Sequence, residues 1–196
     1  MIQPASDANT VQITPNFTPN PLTVRFAVSR QLLVGSGRDF PTRDTADGSP
    51  LPERLFANPD IQSVYVGTDF VTITVSPGDS PMAHAEFVID AIRSHTAAGE
   101  PAVSTPAAGD DGATGDARGT TDLERQIIEA IDQRVRPAVA MDGGDIVFAG
   151  LEAGVVQLQL RGACSGCPSS TFTLKMGIEN LLKELFPGDV LAVEAV

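Results

Sequence analysis

From residue 97 to residue 116 the chain is rich in Ala, Gly, Pro and Asp and shows no apolar period. A stretch of that kind has no face to bury, so no single core runs through it. It therefore divides the 196 residues into two small folding units. The expected organisation is a first domain over 1–98, a flexible linker over 99–119 and a second domain over 120–196. Treated as a flexible coil, the linker has an r.m.s. reach of about 25 Å. Hydrophobic residues make up 42% of the chain, enough for two packed cores. With no Trp, one Tyr and nine Phe, those cores must rest on Val, Ile, Leu and Phe.

Patterning within each half predicts an α+β fold built from two small α/β layer domains. In the first half, Leu22, Val24, Phe26 and Val28 alternate with polar or small residues, as in a half-buried strand. Residues 31–34 are expected to pair with it. Ser49-Pro50 marks the start of a short helix through Phe56. Residues 64–66 and 71–75 flank Gly67-Thr68-Asp69 as a hairpin. Ser80-Pro81 opens a second helix with Met82, Ala85, Ile89 and Ile92 on one stripe. The second half starts with a capping box, Thr121 and Glu124. Leu123, Ile127, Ile131 and Val135 follow at helical spacing until Pro137 ends or kinks the helix. Asp142-Gly143-Gly144-Asp145 reads as a tight turn placed close to the cysteines. Residues 146–149 and 155–160 form a hairpin across 150–154. Leu174, Ile178, Leu181, Leu182 and Leu185 mark a helix ending at Pro187-Gly188. A strand over 190–193 completes an α-β-β-α-β order.

Charge narrows the function. The net charge of −12 is spread over both halves, six basic against ten acidic residues in 1–98 and six against eleven in 120–196. A nucleic-acid binder needs a basic surface to displace counterions, and an anionic membrane attracts one. Neither partner is expected. No apolar run reaches the length of about 20 residues needed to span a bilayer. The opening residues lack a secretory or Arg-rich presequence pattern, which points to a bacterial-type cytoplasm or to a mature form whose presequence was removed. No Ser/His/Asp or paired-carboxylate constellation stands out, so no catalytic residue is assigned.

The two cysteines, Cys164 and Cys167, lie three positions apart in Arg161-Gly162-Ala163-Cys164-Ser165-Gly166-Cys167-Pro168-Ser169-Ser170. Two intervening residues let both sulfurs address one metal centre, and Gly162 and Gly166 let the backbone fold beneath them. Ser169 or Ser170 is placed to cap the following helix. The N-terminus of that helix offers N–H groups and positive charge that favour thiolate and an anionic cluster. Other chemistries use the same spacing. A structural zinc site wants four ligands in one module; His84 and His95 lie in the other half, eleven residues or about 16 Å apart along a helix, and are read as surface or packing residues. A thiol–disulfide oxidoreductase also suits Cys-x-x-Cys, although the turn follows a hairpin instead of a βαβ unit. An adaptor with the cysteines as small buried apolar residues is the third class. Ligand number favours a cluster: thiolate-held clusters generally take four cysteines, and a symmetric pair of chains supplies them at its two-fold axis.

At these residues the sequence resembles the Nfu-type iron–sulfur proteins, whose C-terminal domain is NifU-like. Met141-Asp142-Gly143-Gly144-Asp145-Ile146 and the segment from Leu158 to Ser170 carry the resemblance in the second half. Thr18-Pro19-Asn20-Pro21-Leu22-Thr23-Val24-Arg25-Phe26, Gly48-Ser49-Pro50-Leu51 and residues 66–74 carry it in the first. The resemblance implies a 4Fe–4S cluster bridging two subunits through Cys164 and Cys167 of each. It also implies contact with the cluster assembly machinery, a homodimer when loaded, and transfer of the cluster to apo iron–sulfur proteins with help from the first domain.

Overall fold

A computed structural model of the chain describes residues 11–103, 121–165 and 168–196, with backbone only for 168–171. Two sheets result. The first contains β1 (Ile13–Phe17), β2 (Thr23–Val28), β3 (Arg38–Phe40), β4 (Ile61–Val66) and β5 (Phe70–Val75) in the order β1-β2-β5-β4-β3, antiparallel throughout. Its alternating residues Val24, Phe26, Val28, Val71, Ile73 and Val64 are all at most 5% exposed. They pack under α1 (Pro50–Leu55) and α2 (Ala85–Ala98) through Leu51, Leu55, Val88 and Ile92. Period-2 alternation in the strands and apolar stripes on the helices produce this two-layer core.

Two features differ from the sequence-based expectation. Residues 31–34 form no strand; Leu32 N–H donates to the Thr68 carbonyl at 2.7 Å, and Leu32 and Leu33 pack against the core edge. The partners of β2 are β1 and β5 instead. Pro15 lies within β1, which a strand tolerates at the edge of a sheet because a missing N–H there breaks no inner ladder. The second difference concerns residues 99–103, assigned by composition to the linker. Gly99 closes α2 in the left-handed conformation at φ +71°, the backbone that a glycine adopts without strain. The chain then turns back: Leu51 N–H donates to the Ala102 carbonyl at 3.1 Å, Ala102 is 2% exposed, and Glu100 pairs with Arg54 at 3.2 Å.

The second half follows the expected α-β-β-α-β order. Helices α3 (Asp122–Arg134) and α4 (Arg136–Met141) precede β6 (Gly144–Glu152) and β7 (Val155–Gly162). After α5 (Pro168–Leu185), β8 (Ala192–Ala195) returns parallel to β7. The capping box forms as expected, with Glu124 N–H donating to Thr121 Oγ1 and Thr121 N–H to Glu124 Oε2. Pro137 begins α4 near its first turn and so separates it from α3. The β6–β7 turn is tighter than 150–154. It is made by Ala153 and Gly154 at φ +49° and +81°, the mirror-type turn that matches strand twist. A bulge between Phe148 and Gly150 absorbs the extra strand residue. Ile127, Ile131, Ile146, Leu158, Ile178 and Leu182 form the second core.

Candidate functional site

Cys164 lies two residues beyond the end of β7. Gly162, at φ +62°, reverses the chain out of the strand, and Gly143, at φ +82°, does the same between α4 and β6. The two reversals lock together: Ala163 N–H donates to the Gly143 carbonyl at 3.1 Å, and Ser165 donates to the Gly162 carbonyl through both its N–H (3.0 Å) and its hydroxyl (2.7 Å). Gly144 lies directly behind the sulfur. A Cβ there would overlap Cys164 Sγ and sit 3.0 Å from the Arg161 carbonyl oxygen. The Asp142-Gly143-Gly144-Asp145 turn is thus the floor of the cysteine turn, the proximity expected from the sequence.

A cavity of about 460 Å³ opens here, lined by Val139, Asp142, Ala163, Cys164 and Leu174 of the second half and by Pro19 of the first. Cys164 itself is 8% exposed. Burial pushes its thiol up to about 11, and the carboxylates of Asp142 and Asp145 push the same way. Both effects act toward the protonated thiol, opposite in direction to what a helix N-terminus favours. Cys167 lies outside the described residues. So does Gly166, the other glycine assigned to the turn. Helix α5 starts at Pro168, so Ser169 and Ser170 occupy its first turn and not the cap.

Asp145 is buried, at 4% exposed, and fully engaged. One oxygen accepts from Ile146 N–H at 2.8 Å and faces Arg136 Nε at 3.1 Å; the other accepts from the Tyr65 hydroxyl at 2.8 Å. Arg136 also donates to the Ile146 carbonyl. A charge buried with a cation and two hydrogen-bond donors is stable there; one stripped of them is not. Sequence reasoning missed Tyr65, Arg136 and Asp145 as supports of the turn. The signal available was the chain's one Tyr, set between Val64 and Val66 in β4. The histidines lie elsewhere. His84 shares hydrogen bonds with Asp79 (2.9 Å) and Asn58 (3.0 Å), and His95 is buried at 2% exposed on α2.

Comparison with known proteins matches this architecture half by half. Residues 12–99 match the family described as the scaffold protein Nfu/NifU N terminal, and residues 127–194 match the NifU-like domain. A Drosophila ananassae protein named "NFU1 iron-sulfur cluster scaffold homolog, mitochondrial" is 39% identical over 97% of this chain and 66% of its own length. The human protein of that name is 39% identical over 91% of this chain and 69% of its own. "NifU-like protein 4, mitochondrial" of Arabidopsis thaliana is 36% identical over 94% of this chain and 66% of its own. The chain thus spans about two thirds of the length of these relatives. The class these matches define is a scaffold protein. The chain belongs to the Nfu-type iron–sulfur cluster scaffold family, with both its Nfu N-terminal and NifU-like domains.

Proposed function

We propose that this chain receives a 4Fe–4S cluster as cargo on Cys164 and Cys167, shares it between two copies, and passes it to apo iron–sulfur proteins. The observation that carries the reading is Cys164, set in a turn with the bare Gly144 behind its sulfur and a cavity of about 460 Å³ beside it. The donor set fits that guest. A thiol raised toward its protonated form gives up its proton as it binds a metal centre, because coordination deprotonates a thiol outright. With two cysteines per chain, a second copy completes the four thiolates a cluster generally takes.

The same thiol argues against the thiol–disulfide reading. An attacking redox cysteine needs its thiolate populated near neutral pH, and Cys164 is displaced in the opposite direction. The division into a 1–98 domain, a 99–119 linker and a 120–196 cluster domain is part of the proposal, with the first residues of that linker, 99–103, packed against the first domain. Partners are the assembly machinery that supplies the cluster and the apo-proteins that accept it, in a reducing cytoplasm that keeps thiols available. The named relatives are mitochondrial, and among the described residues no helix is long and apolar enough to cross a membrane.

Anaerobic reconstitution tests the proposal. Iron, sulfide and visible absorbance are measured for the native chain, Cys164→Ala and Cys167→Ala. The native chain is expected to bind two iron atoms per chain, half of a four-iron core, and each variant to lose the chromophore. Full iron uptake by either variant removes that cysteine from the site.

A further inference from the structure

The face of the first sheet turned away from α1 and α2 carries a continuous polar row. Strand register sets Asn16, Arg25, Thr72, Tyr65 and Asp39 opposite one another across β1, β2, β5, β4 and β3. In a two-layer domain such a face meets water. Here Thr72 is 1% and Tyr65 2% exposed. The turns that carry the candidate site are what bury them. Tyr65 donates to Asp145 at 2.8 Å, Thr72 Oγ1 to the Gly143 carbonyl at 2.7 Å, and Asn20 Nδ2 to the Ala163 carbonyl at 3.4 Å. Close approach depends on missing side chains: a Cβ on Gly143 would sit 3.0 Å from Arg25 Cβ, and one on Gly162 3.1 Å from the Tyr65 ring.

The contact is aimed. The Gly143 carbonyl accepts from Thr72 and from Ala163 N–H together, so one oxygen ties the first sheet to the backbone of the residue before Cys164. Pro19, in the loop between β1 and β2, forms a wall of the cavity that holds Cys164. Burying a phenol and a carboxylate is unfavourable unless they meet in the right place, so the pair specifies a docking position as well as adhesion. Both hydrogen-bonded strand residues, Tyr65 and Thr72, direct their polar atoms away from the first core. Neither is needed for that core to close.

We propose that this polar row is a docking face for the cysteine turn of the same chain, and that docking and release of the first domain set access to Cys164. Docked, the first domain walls the cavity and shields the thiol. Released, it opens the thiol to donor, acceptor or second copy. The link to cluster traffic rests on the function proposed above; the docking itself does not.

The test uses the full chain without iron and with Cys167→Ala, leaving Cys164 as the one thiol. Its alkylation rate by iodoacetamide is compared with that of Tyr65→Phe and Thr72→Val in the same background. Each variant is expected to react about tenfold faster, the scale on which one hydrogen bond to a charged or buried group moves an equilibrium. Unchanged rates would overturn the proposal. Tyr65 is the one tyrosine and no Trp interferes, so ultraviolet pH titration of the unaltered chain gives a second reading that survives a misfolded variant. Burial and the adjacent Asp145 hold its phenol above the ordinary value, whereas ionisation at about 10 would mean an undocked face and contradict the proposal. Rates independent of protein concentration support docking within one chain; rates that rise on dilution would assign the contact to two copies and overturn it. A chain showing the tenfold difference yet binding no iron would keep the docking and discard the cluster reading.

Discussion

At Cys164, local charge and burial act against the expectation drawn from the helix N-terminus that follows it. The helix N-terminus favours thiolate in principle, but the sulfur is nearly enclosed and faces Asp142 and Asp145. The Cys-x-x-Cys spacing was legible; the protonation of Cys164 was not, because it depends on what folds around it. Gly144 is the most sensitive neighbour. Gly144→Ala places a methyl against the sulfur and near the Arg161 carbonyl, and a loss of about 1–3 kcal/mol is expected from overpacking. Urea unfolding of the iron-free chain measures it, and iron uptake is expected to fall with it. The sequence marked Asp142-Gly143-Gly144-Asp145 as a turn near the cysteines. It could not show that Tyr65, eighty positions away, is hydrogen-bonded to Asp145.

At the scale of elements, most of the strands and helices were readable because one face of each is buried and the other is not. The central strands β4 and β5 are the informative exceptions. Tyr65 and Thr72 are buried on the side where alternation leads one to expect water, since a second body covers it. Edge strands escaped for another reason: β1 carries Pro15 and Asn16 and β3 has three residues, so neither has a strong period. The segment after α2 gives a pH prediction. His95 is buried, and that burial foremost, then Arg54, holds its imidazole below the usual histidine range, with Glu100 opposing. The folded chain therefore favours neutral His95, while the unfolded chain takes up a proton near pH 6.5. Stability from this group is complete above that value and is lost as pH falls through it toward the lowered folded value. Thermal unfolding midpoints are expected to fall between about pH 7 and about pH 5, with part of the fall absent in His95→Gln. On α3, Thr121→Ala removes the Glu124 cap and is expected to cost the second core about 1 kcal/mol, read from its chemical unfolding.

For the whole molecule, the composition break before residue 120 falls between the two cores, but composition could not place residues 99–103 on the first of them. Glycine, alanine and proline signal a loop without saying what the loop leans on; the Leu51–Ala102 hydrogen bond and the Arg54–Glu100 pair decide that. Docking between the halves was likewise invisible, because its row of residues is assembled from five strands. The central claim is that the cluster is held in common by two chains. Light scattering on the reconstituted protein, collected with visible absorbance as it leaves a sizing column under anaerobic conditions, tests this most directly. The coloured species is expected at twice the 20.5 kDa mass of one chain, and colour travelling with the single-chain mass would contradict the account.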